Sequence, residues 1–132
     1  MNGRPNILFV MTDQQRGDTI AAAGNPFTRT PVMDRLCGEG VNFTRAYTPS
    51  PVCVSARASI ITGQYPHRTG CYDNGFPMPE DRPSMMDVLN RAGYQTHGVG
   101  KMHFTPDTHA LRGFETRETQ EELRHKLGDD DY

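Results

Sequence analysis

The stretch Cys53-Val54-Ser55-Ala56-Arg57-Ala58-Ser59-Ile60-Ile61-Thr62-Gly63 decides how this chain is read. It predicts a short helix over 54–62. The rigid Thr48-Pro49-Ser50-Pro51 segment delivers Cys53 to its start, and Gly63 suits the left-handed position at its end. The first turn of a helix carries unpaired backbone N–H groups and the positive end of the dipole, so it favours negative charge. Arg57 falls one turn after Cys53 on the same face. A cysteine and an arginine so placed can hold an anionic oxygen or a sulfate beside residue 53. The plain alternative is a small buried cysteine next to a surface arginine.

Upstream, residues 6–12 form a continuous apolar run that reads as a buried parallel strand ending at Asp13. A carboxylate just past the C-terminal end of such a strand stands where open α/β sheets place their ligands. Residues 14–24 read as a loop or short helix. Thr30-Pro31 predicts an N-cap followed by Pro at the first helical position, with the helix ending near Gly38 or Gly40. Residues 41–47 alternate in polarity and predict a second strand.

Downstream, residues 64–82 are polar and rich in Pro and Gly, and read as an ordered loop beside a site. Ser84 caps a helix carrying Met85, Met86, Val88 and Leu89, which stops at Gly93. Residues 94–100 predict a third strand, running into Lys101-Met102-His103-Phe104. Residues 117–126 read as a charged helical stretch. Strands and helices in this order predict an α/β fold, a mostly parallel sheet flanked by helices.

The chain has 132 residues, enough for one domain of ordinary size, and 35% of them are hydrophobic. A net charge of −2 and the lack of a basic stripe argue against a nucleic-acid partner. No segment has the apolar length of a membrane span, and the N-terminal run is too short for a secretory leader. A cytoplasmic, membrane-free location is the expectation. Three cysteines (Cys37, Cys53, Cys71), without paired spacing, do not make a disulfide framework.

Asp13 and Gln14 offer oxygens of the kind that hard cations prefer. Lys101 after a strand can neutralise an anion, and His103 two residues later can exchange protons with it. Each signal alone is weak, since a strand-terminal Asp is often a cap and a single His is usually structural. Read in order they are far more specific: Asp13, then Cys53 with Arg57, then Gly100-Lys101-Met102-His103, then Arg112-Gly113-Phe114-Glu115. That order and approximate spacing resemble the N-terminal portion of the sulfatases, formylglycine-dependent members of the alkaline phosphatase superfamily. The opening Pro5-Asn6-Ile7-Leu8 and the run Leu89-Asn90-Arg91-Ala92-Gly93-Tyr94-Gln95-Thr96 are similar to theirs as well. The Asp13-Gln14 pair and the Lys101-Met102-His103-Phe104 run look most like the choline sulfatase and phosphonate monoester hydrolase branch.

The resemblance implies an alkaline phosphatase-like fold, incomplete in this chain, with residues 1–132 as the N-terminal portion of a catalytic domain. It implies that Asp13, Gln14 and residue 53 are ligands of Ca²⁺, with Mg²⁺ or Mn²⁺ as alternatives. Cys53, oxidised to formylglycine by a formylglycine-generating enzyme, becomes the nucleophile. Arg57 steadies the formylglycine hydrate, Lys101 binds the sulfate, and His103 holds the second hydroxyl. Asn74, in Tyr72-Asp73-Asn74-Gly75, resembles a sulfate-contacting asparagine, although Asp-Asn-Gly is also strong turn chemistry.

The implied reaction is hydrolysis of a small-molecule sulfate ester to alcohol and sulfate. The general acid and the remaining metal ligands come from a C-terminal part of the fold, so the isolated chain is expected to be inactive. A phosphonate or phosphate ester hydrolase on the same scaffold, or a catalytically inactive fragment, are the alternatives, and a homo-oligomer is left open. Three residues depart from the common pattern: Ser55 stands where Pro or Ala is usual, Gln14 where a second Asp is usual, and Met102 where Trp is usual.

Overall fold

The computed structural model describes residues 3–105 and 110–118. They fall into two compact units, divided between Ala46 and Tyr47. Helices and a small parallel sheet make up the described part, as the α/β reading predicts.

In the first unit, single 3-10 turns span Gly17–Thr19 and Ala21–Ala23, and helix α1 spans Pro31–Glu39. Pro31 opens α1 as its sequence predicts, but the Thr30 hydroxyl makes no capping bond. It instead accepts from Ala21 N at 2.9 Å and donates to Asp34 Oδ1 at 2.8 Å. Asp34 Oδ1 also accepts from Ala22 N at 2.8 Å, so this Thr–Asp pair stitches α1 to the turn before it.

The predicted strands over 6–12 and 41–47 do not form among the described residues. A strand exists through its ladder, and a lone extended run has nothing to pair with. Ile7, Leu8, Phe9, Val10 and Met11 are exposed, as are Val41, Phe43 and Tyr47, and a turn at 44–45 interrupts the second run. Their apolar patterns describe a surface made to be covered, and no strand among the described residues covers it.

In the second unit, helix α2 spans Cys53–Thr62, α3 spans Pro66–Thr69 and α4 spans Met85–Arg91. Gly63 closes α2 in the left-handed region at φ 67°, its N–H donating to Ser59 O at 2.9 Å. Val54, Ala58 and Ile61 lie along one side of α2 and pack with Cys71, Met78, Met102, Phe104 and Phe114. The expected loop over 64–82 contains α3, started by Pro66 and ended by Gly70.

Ser84 caps α4 through a reciprocal box. Its hydroxyl accepts from Asp87 N at 3.0 Å, and Asp87 Oδ2 accepts from Ser84 N at 2.7 Å. Gly113, at φ 93°, passes so close to this box that a Cβ there would strike Ser84 Oγ and Asp87 Oδ1.

Strand β1 spans His97–Val99, shorter than the 94–100 expected. It pairs in parallel with β2, Thr116–Glu118, in the register His97 to Thr116 and Val99 to Glu118. The sequence reading put residues 117 and 118 in a charged helix; they are strand. Thr116-Arg117-Glu118 carries no apolar cue, and β2 forms because its backbone meets β1 while the Arg117 guanidinium lies 4.6 Å from the Phe104 ring centre. The rest of that expected helix, 119–126, lies outside the described residues. No helix among the described residues is long and apolar enough to cross a membrane.

Candidate active site

Cys53 is the first residue of α2 and is half-buried. Arg57, one turn on, is only 7% exposed, and its Nη1 donates to Lys101 O at 2.7 Å. That contact joins two motifs 44 residues apart. It exists because Gly100, at φ 89° with its N–H on Glu118 O at 2.8 Å, turns the chain sharply out of β1. Lys101, Met102, His103 and Phe104 follow. Met102 and Phe104 pack into the core, while Lys101 and His103 stay half-buried and hold further interactions.

The loop from Cys71 to Met78 closes the other side. Asn74 Oδ1 accepts from Val54 N at 3.1 Å, so its side chain satisfies a first-turn N–H of α2 from 20 residues away. Val52, at the N-cap position, has no side chain that can do this, and Asn74 takes the role. Ser55 Oγ, fully buried, donates to Cys71 O at 2.6 Å. The residue that departs from the sulfatase pattern is thereby explained as a tie between α2 and the loop. The loop is also pinned to the segment after His103: Thr105 Oγ1 donates to Phe76 O at 2.6 Å and Met78 N donates to Thr105 O at 3.0 Å. Thr105 was not singled out from sequence. A hydroxyl flanked by Phe104 and Pro106 offers no signal until its partner is known.

Two cysteines lie in this unit and differ in kind. Cys71 is fully buried, and burial pushes its thiol up, which keeps it protonated and inert. Cys53 is half-buried and is the first residue of α2.

Among the described residues, three other than glycine adopt left-handed backbone: Gln14 at φ 51°, His103 at φ 54° and Arg112 at φ 47°. Such positions cost about 1–3 kcal/mol and collect at functional sites. Two of the three, Gln14 and His103, are residues the sequence assigns to chemistry.

The structure thus brings together the start of α2, Arg57, Asn74 and the backbone of Lys101. Asp13 and Gln14 lie in the first unit, at an exposed bend. Among the described residues no three His, Cys, Asp or Glu side chains gather into a metal cluster. Asp13 and Gln14 fit a hard cation in donor type, yet two donors fall well short of the six to eight oxygens Ca²⁺ takes.

The sulfatase family model matches residues 5–126. The chain is 42% identical over 118 residues to a choline-sulfatase of Rhizobium meliloti, covering 89% of this chain and 23% of that protein. It is 38% identical over 118 residues to an ulvan-active sulfatase of Formosa agariphila, again covering 89% of this chain and 23% of the relative. Among solved structures, the phosphonate monoester hydrolase of Agrobacterium radiobacter superimposes with a TM-score of 0.83 at 30% identity, covering 91% of this chain and 27% of that one. The chain therefore spans about a quarter of the length of the relatives it matches. The match across nearly all of its residues, with the cysteine–arginine helix and the lysine–histidine segment brought together, places this chain in the sulfatase family.

Proposed function

We propose that the protein to which these residues belong hydrolyses sulfate esters, with residues 1–132 as the N-terminal portion of its catalytic domain. The observation that supports the reading is the 2.7 Å bond from Arg57 to the Lys101 carbonyl, which ties the helix that Cys53 opens to the backbone of the lysine–histidine segment. A sulfate ester presents negative oxygens that repel an anionic nucleophile. The Arg57 guanidinium, the Lys101 ammonium and the free N–H groups of α2 offset that charge, most where it grows in the transition state. His103 exchanges a proton with the reacting oxygens. Asn74, with Oδ1 engaged by Val54 N, has its two Nδ2–H donors left for an anionic ligand.

The reading assigns Cys53 to conversion by a formylglycine-generating enzyme. That aldehyde, once hydrated, would supply the nucleophilic hydroxyl, with Arg57 and His103 as the residues that would hold the hydrate. Asp13 and Gln14 are assigned as oxygen ligands to a divalent cation, Ca²⁺ in first place. Superposition on the phosphonate monoester hydrolase supports a second reading, a phosphonate or phosphate ester hydrolase on the same scaffold.

The test uses the full-length protein co-produced with a formylglycine-generating enzyme. The tryptic peptide 46–57 is expected to be lighter by the thiol-to-aldehyde change, with turnover of an aryl sulfate that Cys53→Ala removes almost entirely. Substantial turnover in Cys53→Ala overturns the assignment. A higher rate on a matched phosphonate monoester than on the sulfate favours the second reading.

A further inference from the structure

The run Arg112-Gly113-Phe114-Glu115 stands out in sequence, yet its arginine has no task in the site described above. Residues 111–114 make a tight turn. Phe114 N donates to Leu111 O at 3.0 Å, and both central residues have positive φ, Arg112 at 47° and Gly113 at 93°. A turn of that kind favours Asn, Asp or Gly at its central positions. An arginine there is strained, and persists only where its surroundings hold it. The hold on the backbone comes from α4. A Cβ on Gly113 would strike the Ser84–Asp87 box, and Asn90 Nδ2 donates to Gly113 O at 2.7 Å.

The hold on the side chain comes from the segment that carries His103. The Arg112 side chain is only 9% exposed, and its Nη2 donates to Thr105 O at 3.0 Å. The same nitrogen lies 3.3 Å from Glu80 Oε1, but Glu80 is 76% exposed, so solvent screens that pair and the carbonyl is the firmer partner. Thr105 O also accepts from Met78 N at 3.0 Å. At the other end of the segment, Lys101 O accepts from Arg57 Nη1 at 2.7 Å. Two buried guanidinium groups, one from α2 and one from the 111–114 turn, therefore hold carbonyls four residues apart. His103 lies midway between them, at φ 54°. Phe104, fully buried beside it, anchors the same segment in the core. A histidine released from that φ relaxes to negative φ, and its imidazole moves with it.

We infer that Arg112 is a positioning residue for the reaction: through the Thr105 carbonyl it keeps His103 in the left-handed conformation that sets its imidazole. The inference rests on the sulfate-ester reading for the chemistry of His103, and adds the residue that holds His103 in place.

The test uses the full-length protein co-produced with a formylglycine-generating enzyme. Arg112→Gly suits the left-handed backbone and removes only the guanidinium. It is expected to lower kcat on an aryl sulfate about tenfold or more, as misplacement of a reacting group does, with KM within about twofold. In a His103→Ala background the same substitution is expected to change kcat by less than about twofold, because residues acting through one another do not add. Added ethylguanidinium restores kcat in Arg112→Gly and not in His103→Ala. Glu80→Gln, which leaves the bond to Thr105 O, keeps kcat within about twofold of wild type. A readout independent of turnover is hydrogen exchange: a peptide covering 101–105 exchanges faster in Arg112→Gly, while 54–62 is unchanged. Thermal unfolding checks each variant. Arg112→Asn, also at home in left-handed backbone and too short to reach Thr105 O, makes the same comparison should Arg112→Gly not fold.

An unchanged kcat in Arg112→Gly overturns the inference and leaves the proposed function standing. An equal fall in the wild-type and His103→Ala backgrounds also overturns it, since Arg112 then acts on the fold as a whole. If exchange over 101–105 rises in Arg112→Gly but wild type hydrolyses no sulfate ester, the hold on the His103 segment stands and the proposed function falls.

Discussion

Asn74 shows how one residue serves two ends of a site. As a turn residue in Asp-Asn-Gly it needs no partner, and as a sulfate contact it needs only a free amide. The structure gives it a further task, acceptor for Val54 N at 3.1 Å. Because the oxygen is committed to the helix, the nitrogen is the end that the proposed sulfate contact would use. Two substitutions separate these tasks. Asn74→Ala removes both, and is expected to lower stability by about 1 kcal/mol, as loss of a helix cap does, and to lower kcat/KM on the sulfate ester. Asn74→Asp keeps an acceptor for Val54 N, so stability holds, but it sets a carboxylate at the proposed sulfate contact, so kcat/KM falls at least as far. Urea unfolding midpoints read beside the kinetics decide it; equal destabilisation by both variants would remove the capping role. Ser55 makes the companion point. From sequence it is only a departure from pattern, and its reason, the Cys71 carbonyl, is 16 residues away in a fold the sequence does not display.

At the scale of elements, legibility follows how local the cause is. Helices α1, α2 and α4 were legible because their starts and stops are written beside them: Pro31, Gly63, Ser84 with Asp87. Strand β2 was not, because its cause is the edge of β1, nineteen residues upstream. The α4 capping box has a pH dependence of known sign. The Ser84 N–H first, then its hydroxyl, hold the Asp87 carboxyl below the usual carboxylate range. A depressed folded value means the contribution is fully present above the unfolded pKa of about 4 and is lost as pH falls through the folded value. Asp87→Ala is therefore expected to cost about 1 kcal/mol at neutral pH, with the gap from wild type narrowing below about pH 4. Denaturant unfolding at pH 7 and at successively lower pH checks it. A gap that stays constant with pH would place the box's strength in the Ser84 hydroxyl alone.

At the scale of the whole molecule, the cysteine–arginine and lysine–histidine segments stand out in sequence because each carries its own residue chemistry, and the structure joins them through the Arg57 bond to the Lys101 carbonyl. What sequence could not supply was pairing. The run over 7–11 has the pattern of a strand buried on both faces, yet its side chains are 42–87% exposed and it joins no ladder among the described residues. Both observations hold together if the run's hydrogen-bonding neighbours come from sequence beyond these residues, in keeping with a chain that spans about a quarter of its relatives. Parallel strands need covered faces, and an apolar edge left bare invites association. Amides 7–11 are therefore expected to exchange with solvent at close to unfolded rates in the 132-residue polypeptide. In full-length protein they should be protected by several orders of magnitude, with amides of α2 protected in both. Hydrogen exchange read by mass spectrometry on peptides covering 5–12 and 54–62 makes the comparison. Fast exchange at 7–11 in the full-length protein would show that the run is not a strand there either, and that Asp13 is carried by a loop rather than by the end of a sheet.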